Sequence, residues 1–231
     1  MVSKTYIHDE LFKMSEKWEP TFDGLTITID NFYENPEDIH DFLMARQFPM
    51  WKYSTERESP NGIDYNDCRI VDKVGHPTRK YFGEMERLLD ICRKHFHKGK
   101  YNWDMIHEFN VFQTINQFDP AFQHYPHTDS SFDTPDKLAT LNMLVYLDKQ
   151  ESGGTAVYEG EWISNDEHHG LLYPCQDDFD LNTIIPAKFN RCVVFPGNRL
   201  HGAYIGDYTK YSGDNWRISQ VQFFHPSTGN N

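Results

Sequence analysis

Near residue 107 the spacing of the apolar side chains changes, and that change narrows the architectures open to this chain. Before it, apolar residues recur at helical steps. Tyr81, Met85, Leu88, Leu89, Cys92 and Phe96 form one stripe, which predicts a long helix opened by Pro77 and Thr78, ended by Gly99 and packed against a sheet. A shorter helix is predicted from Asn35 to about Gln47. Asn35 would cap it, Pro36 and the acids Glu37 and Asp38 would fill its first turn, and Ile39, Phe42 and Leu43 would face the core. Residues 1–24 are polar, with a helical start broken at Pro20 and Gly24. Residues 25–29 alternate as a strand, and 52–76 look irregular.

Beyond residue 107 the apolar runs are short. They cover 107–118, 141–147, 155–158, 183–186, 192–195 and 216–224, separated by turn signals such as Ser152-Gly153-Gly154 and Pro196-Gly197-Asn198. The expected fold is mainly β with flanking helices, its core a double-stranded β-helix (jelly roll, cupin-like). The 231 residues suit one domain. Residues 1–106 would be an N-terminal helical and strand support, and 107–225 the jelly-roll core, with a polar insert at 159–182. An insert of that length is either a lid over a binding site or a solvated loop.

The formal charge of −13 repels phosphate backbones and anionic lipid, so neither nucleic acid nor a membrane surface is an expected partner. No apolar run approaches the ~20 residues of a membrane span. The first ten residues carry no apolar stretch of the kind a signal peptide needs. Cys68, Cys92, Cys175 and Cys192 make no C-x-x-C pair. They are expected as reduced thiols in a cytoplasm, with Cys92 and Cys192 in the core.

Against this frame, His127-Thr128-Asp129 stands out. A His-x-acid pair alone is weak, because 12 histidines and 35 acids produce roughly two by chance. The other pair, His8-x-Glu10, has no supporting context. His127 and Asp129 follow a strand in an extended stretch, where residues two apart project to the same side. They can offer one nitrogen and one oxygen to a single ion. A third ligand must come from a neighbouring strand, and His201 fits, 74 residues later and just after the buried run ending in Pro196-Gly197. Two imidazoles and a carboxylate form the ligand set of a non-haem ferrous iron with open positions. Sixteen residues beyond His201, the period-two segment from Trp216 puts Arg217, Ser219 and Val221 on one face. A buried arginine needs an anionic partner, and a planar guanidinium suits a carboxylate, with Ser219 adding a hydroxyl.

These residues resemble the iron(II)/2-oxoglutarate-dependent oxygenases, especially the prolyl 4-hydroxylase-like branch. The likeness covers about residues 107–225. It rests on His127-Thr128-Asp129, Leu144-Val145-Tyr146-Leu147-Asp148, Ser152-Gly153-Gly154-Thr155, Val194-Phe195-Pro196-Gly197, His201-Gly202 and Arg217-x-Ser219, in the family's order. It implies that His127, Asp129 and His201 hold Fe(II), and that Arg217 and Ser219 bind the distal carboxylate of 2-oxoglutarate. Tyr146 matches a position whose phenol often reaches that carboxylate. The reaction implied uses O2, decarboxylates 2-oxoglutarate to succinate and hydroxylates a C–H bond of a small molecule or peptide side chain. Asp129 fills the position that related halogenases leave to halide, which favours hydroxylation; desaturation and cyclisation stay open. Two features depart from the family. Residues 206–215 look like an inserted hairpin, and Gln117-Phe118 stands where many relatives carry a tyrosine.

Two other functions fit part of the pattern: a non-catalytic roll that keeps the metal cage, and a zinc hydrolase using the same three ligands. The hydrolase leaves Arg217 and Ser219 without a role. His168, His169 and Asp166 offer a second, adventitious metal position in the insert, and His124 a local partner for His127.

Overall fold

The fold is described from a computed structural model over residues 9–45, 52–53, 57–58, 64–71, 79–103, 108–114, 126–130, 134–159 and 179–227. Its elements run β1 (Thr21–Phe22), β2 (Ile27–Ile29), α1 (Pro36–Met44), β3 (Lys52–Tyr53), β4 (Arg57–Glu58), β5 (Asp64–Val71), α2 (Arg79–Cys92), β6 (Tyr101–Trp103) and β7 (Glu108–Thr114). They continue with β8 (Leu141–Tyr146), β9 (Gly154–Glu159), β10 (Asp180–Pro186), β11 (Arg191–Pro196), β12 (His201–Tyr204) and β13 (Arg217–Pro226). The strands pair antiparallel throughout. The larger sheet has the order β1-β2-β11-β8-β13-β7-β5-β3, with β4 on β5 and β6 on the far end of β13; the smaller has the order β10-β9-β12. This is the expected mainly β, jelly-roll architecture.

The larger sheet has two different faces. On β8, Leu141, Met143 and Val145 point outward, joined by Cys192 and Val194 of β11 and by Ile218 and Phe224 of β13. The helices lie over this face. Ile39 and Leu43 of α1, and Tyr81, Met85, Leu88, Leu89 and Cys92 of α2, are all buried in the same cluster. Each large apolar side chain so buried contributes about 1.5–3 kcal/mol. The opposite face looks into the roll, where Leu144, Tyr146, Val193 and Phe195 meet Val157 and Ile185 from the smaller sheet.

Several local expectations change. Asn35 sits at the N-cap of α1 but its side chain makes no cap hydrogen bond, and the helix ends at Met44; residues 46–47 lie outside the described ones. The stripe on α2 is buried through Phe96, yet the helix stops at Cys92 and not at Gly99. There the backbone tightens into turns, with Lys94 N donating to Ile91 O and His95 N to Cys92 O. The stretch expected to be irregular contains β3, β4 and β5. Asp64 to Val71 is too polar to advertise a strand, but pairing along β7 from Tyr65↔Thr114 to Val71↔Glu108 overrides its weak propensity. The long insert is narrower than expected, because residues 179–182 lead into and form β10. Residues 160–178, with His168, His169 and Asp166, lie outside the described residues, as do His8, Asn116 to Phe118 and His124. The expected hairpin at 206–215 is instead a loop around a short 3-10 turn, Tyr208–Lys210. Asp207 organises it, its Oδ1 accepting from Thr209 N and Thr209 Oγ1. Cys92 and Cys192 are buried free thiols, and burial raises both their pKa values, Cys92 to about 12. Among the described residues no helix is long and apolar enough to cross a membrane.

Candidate metal centre and anion clamp

His127 and His201 are brought together by backbone pairing. Each donates its N–H to the other's carbonyl at 2.9 Å, an isolated antiparallel bridge. The chain then runs on to Asp129, whose N–H donates to Gly197 O at 2.7 Å. This ties residues 127–129 to the turn between β11 and β12. Gly197 also permits the close approach of β8, since a Cβ there would lie 2.7 Å from Asn142 Oδ1.

The three side chains converge. Their ligand atoms all lie within 4.8 Å of one another, a spacing that one ion could bridge. His201 Nε2 is 3.1 Å from Asp129 Oδ2, His127 Nε2 is 3.9 Å from Asp129 Oδ1, and the two imidazole centroids are 4.4 Å apart. His201 is nearly covered, at 7% side-chain exposure, while Asp129 (25%) and His127 (38%) open toward solvent. The cage therefore has a closed side and an accessible side.

Its supports fix which atoms point inward. His201 Nδ1 lies 2.8 Å from Arg199 O. A carbonyl only accepts, so Nδ1 carries a hydrogen and Nε2 is the nitrogen turned to the centre. Arg199 is held in turn by Asp136. Asn142 Nδ2 donates to Asp129 Oδ2 at 2.5 Å and lies 3.3 Å from His201 Nε2. Burial works against the charge of Asp129, but the hydrogen bond and charge of His201, the charge of His127 and the Asn142 amide outweigh it. Its carboxyl is held below the ordinary value.

Sequence reasoning missed Asn142. The available signal was a polar residue at an inward position of the apolar strand Leu141–Tyr146, where burial demands a hydrogen-bonding reason.

Deeper in the roll, Arg217, Ser219 and Val221 share the inward face of β13, as the two-residue period predicts. Arg217 is buried, at 5% exposure. Its Nη2 donates to Gly154 O at 2.9 Å, bridging the two sheets, while its buried Nε has no hydrogen-bond partner among the described residues. Gly154 has φ 148, and a Cβ there would strike Ile185 O, so this start of β9 requires glycine. Ser219 is buried opposite Tyr146. The Tyr146 phenol meets Thr155 Oγ1 at 2.7 Å, again spanning the sheets. Burial raises the Tyr146 pKa, with Thr155 and the charge of Arg217 opposing. Beside them lies Asp148, buried to 1% exposure, whose Oδ1 accepts from the Tyr211 phenol at 3.0 Å. The sequence alone assigns no role to Asp148 or Tyr211.

No protein-family model and no curated protein matches the sequence. Solved structures do match its fold. One is HygX from Streptomyces hygroscopicus, in a crystal structure with nickel, 2-oxoglutarate and hygromycin B bound, at TM-score 0.54 and 11% identity over 90% of this chain and 85% of that one. Another is SnoN, a non-haem alpha-ketoglutarate-dependent epimerase from nogalamycin biosynthesis, at TM-score 0.51 and 15% identity over 88% of this chain and 77% of that one. At such identities the likeness is one of architecture: this chain shares the jelly-roll fold of these proteins over most of its length.

Proposed function

We propose that this protein is a non-haem Fe(II)/2-oxoglutarate-dependent oxygenase that hydroxylates a C–H bond of a small molecule or a peptide side chain. The observation that carries this reading is the convergence of His127, Asp129 and His201 within 4.8 Å, in a roll whose interior also holds a buried arginine with an unpartnered Nε. The donor set fits ferrous iron, with two nitrogens and one carboxylate oxygen. The orphaned N–H of Arg217 fits a carboxylate ligand, because a buried guanidinium gains most from a planar anionic partner. The order of the motifs, from His127-Thr128-Asp129 to Arg217-x-Ser219, supports the prolyl 4-hydroxylase-like branch. HygX and SnoN, of the same fold, are described with 2-oxoglutarate bound or as dependent on it.

When bound, iron and 2-oxoglutarate would together supply the oxidising chemistry, consuming O2 and releasing succinate and carbon dioxide as a substrate C–H bond is oxidised. The chain's own residues do the positioning. His201, its tautomer held by the Arg199 carbonyl, offers Nε2. Asn142 orients the Asp129 carboxylate. Arg217 and Ser219 bind the distal carboxylate, with Tyr146 beside them. The apolar wall of Leu144, Val157, Val193 and Phe195 limits water in the interior. The open side at His127 admits the substrate, whose class is a small metabolite or a peptide side chain, neutral or cationic in view of the charge of −13.

The test is anaerobic reconstitution with Fe(II), followed by oxygen uptake and succinate formation from 2-oxoglutarate across a panel of amino acids, peptides and metabolites. Succinate formation that depends on iron and is stimulated by one substrate supports the reading. Zinc retained through anaerobic purification, with hydrolysis and no succinate, would replace it by a metal hydrolase. Arg217→Ala is expected to raise the 2-oxoglutarate requirement about tenfold or more, as loss of a charge-assisted pair should.

A further inference from the structure

Arg217 has a carboxylate neighbour within the chain, Asp148, that makes no hydrogen bond or close ion pair with it, although burial raises the Asp148 pKa and the charge of Arg217 opposes that rise. The register that sets Ser219 opposite Tyr146, continued past the end of β8 by the hydrogen bond from Leu147 N to Ile218 O, brings Asp148 to the level of Arg217. Such cross-strand neighbours have Cβ atoms about 4.5–5.5 Å apart, close enough for an ion pair. Yet among the described residues the guanidinium bonds only to Gly154 O. Asp148 Oδ1 turns instead to the Tyr211 phenol and to Glu151 N, and its buried Oδ2 has no hydrogen-bond partner among the described residues.

Tyr211 comes from the 206–215 segment, the stretch that departs from the family pattern. It is fully buried, and its single phenolic hydrogen is shared between Asp148 Oδ1 and Ser152 O, at 3.0 and 2.8 Å. Ser152 N also approaches the phenol oxygen at 3.3 Å, and Asp207 N donates to Ser152 Oγ at 2.8 Å. The segment is thus fastened to the loop that leads from Asp148 to Gly154, the residue on which Arg217 leans.

We infer that Tyr211 and Asp148 form an internal latch that sets how tightly Arg217 holds the distal carboxylate of a bound 2-oxoglutarate, Tyr211 restraining a carboxylate that would otherwise take the ligand's place. The inference rests on the functional reading above. Buried opposite charges without partners are costly, so an unrestrained Asp148 would swing to the guanidinium and compete with the cosubstrate. Held by Tyr211, it stays beside the clamp and leaves the Nε face free. Both are positioning residues.

The two variants have opposite expected signs. In Tyr211→Phe the carboxylate is released, and 2-oxoglutarate binding weakens by about fivefold, the scale of one lost hydrogen bond. In Asp148→Asn the competing charge is gone, and binding tightens by about twofold or more. The double variant follows Asp148→Asn, because without the carboxylate there is nothing to restrain. Binding of 2-oxoglutarate is measured by calorimetry on full-length protein loaded with Mn(II) in place of iron, so that no turnover intervenes. KM and kcat are then measured on the iron form, where KM moves with the dissociation constant and kcat stays within about twofold, as expected for uniform binding. Weakening in both single variants, or no change in either, overturns the latch while leaving the functional reading intact. Wild-type protein that binds no 2-oxoglutarate overturns both.

Discussion

The two faces of the larger sheet are built from the same strands yet follow different rules. On its outward face, β8 presents Leu141, Met143 and Val145, all fully buried beneath the helices. On its inward face the same strand presents Asn142, Leu144 and Tyr146, and the polar ends of two of them reach Asp129 and Thr155. β13 repeats the pattern, with Ile218 and Phe224 outward and Arg217 and Ser219 inward. The outward face is held mainly by apolar burial, and its buried Gln220 is satisfied, Oε1 accepting from the Tyr33 phenol at 2.7 Å. The inward face keeps groups that cost stability, including an unpartnered Arg217 Nε and an unpartnered Asn142 Oδ1. Unsatisfied polar atoms persist in a folded protein where a ligand or a reaction needs them. One face packs the helices, and the other carries the groups to which the proposed chemistry would fall.

Substitutions can break or sharpen that contrast. The largest effect is expected from Asp129→Ala, which should reduce iron-dependent succinate formation to background while circular dichroism and the unfolding midpoint stay near wild type. Full turnover in that variant would remove Asp129 from the centre. On the other face, Met143→Ala should cost about 2–5 kcal/mol in urea unfolding, the usual range for a buried large-to-alanine change. The metal stoichiometry of the remaining folded protein should not change. Asn142→Leu should weaken metal binding by about 10–100-fold, the range seen when the support of a metal ligand is removed. It should not destabilise the fold, because an apolar residue replaces an amide whose oxygen is unsatisfied. A large loss of stability with unchanged metal affinity would assign Asn142 to the structural side instead.

The smallest effect lies at the sheet edge. Asp30 accepts from Arg191 Nε at 2.7 Å and from Lys188 Nζ at 2.8 Å, joining β2 to the start of β11. Its pKa falls from 3.8 to about 2, chiefly through the Arg191 hydrogen bond, with burial opposing and Lys188 assisting. A depressed carboxylate stabilises the fold above its unfolded value and loses that contribution as the pH drops through its folded one. The wild type should therefore exceed Asp30→Asn by about 1 kcal/mol at neutral pH, given the partial exposure of the pair. That gap should narrow from about pH 4 and close by about pH 1. A gap that persists at about pH 1 would mean that the carboxylate charge is not its source.

Much of this arrangement is legible along the chain because it depends on local period. The stripe from Tyr81 to Phe96, the alternation through Arg217, Ser219 and Val221, and the two-residue offset of His127 and Asp129 all follow from where successive side chains point. The bounds of the elements were less legible: α2 stops at Cys92, and 206–215 forms a loop around a 3-10 turn where a hairpin was expected. Those outcomes depend on contacts such as the burial of Tyr211 against Asp148, which no local pattern encodes.

The order of residues alone determined which groups would face inward and which chemistry they could support, since helix and strand periods are properties of a few consecutive residues. Only the tertiary structure decided that residue 127 would pair with residue 201, that Asn142 would brace Asp129, and that Tyr211 would bond to Asp148. These are encounters between segments that lie between 13 and 74 residues apart, or meet across two strands. Their outcome rests on sheet register and on competition for buried hydrogen-bond partners, which are settled only when the whole roll closes.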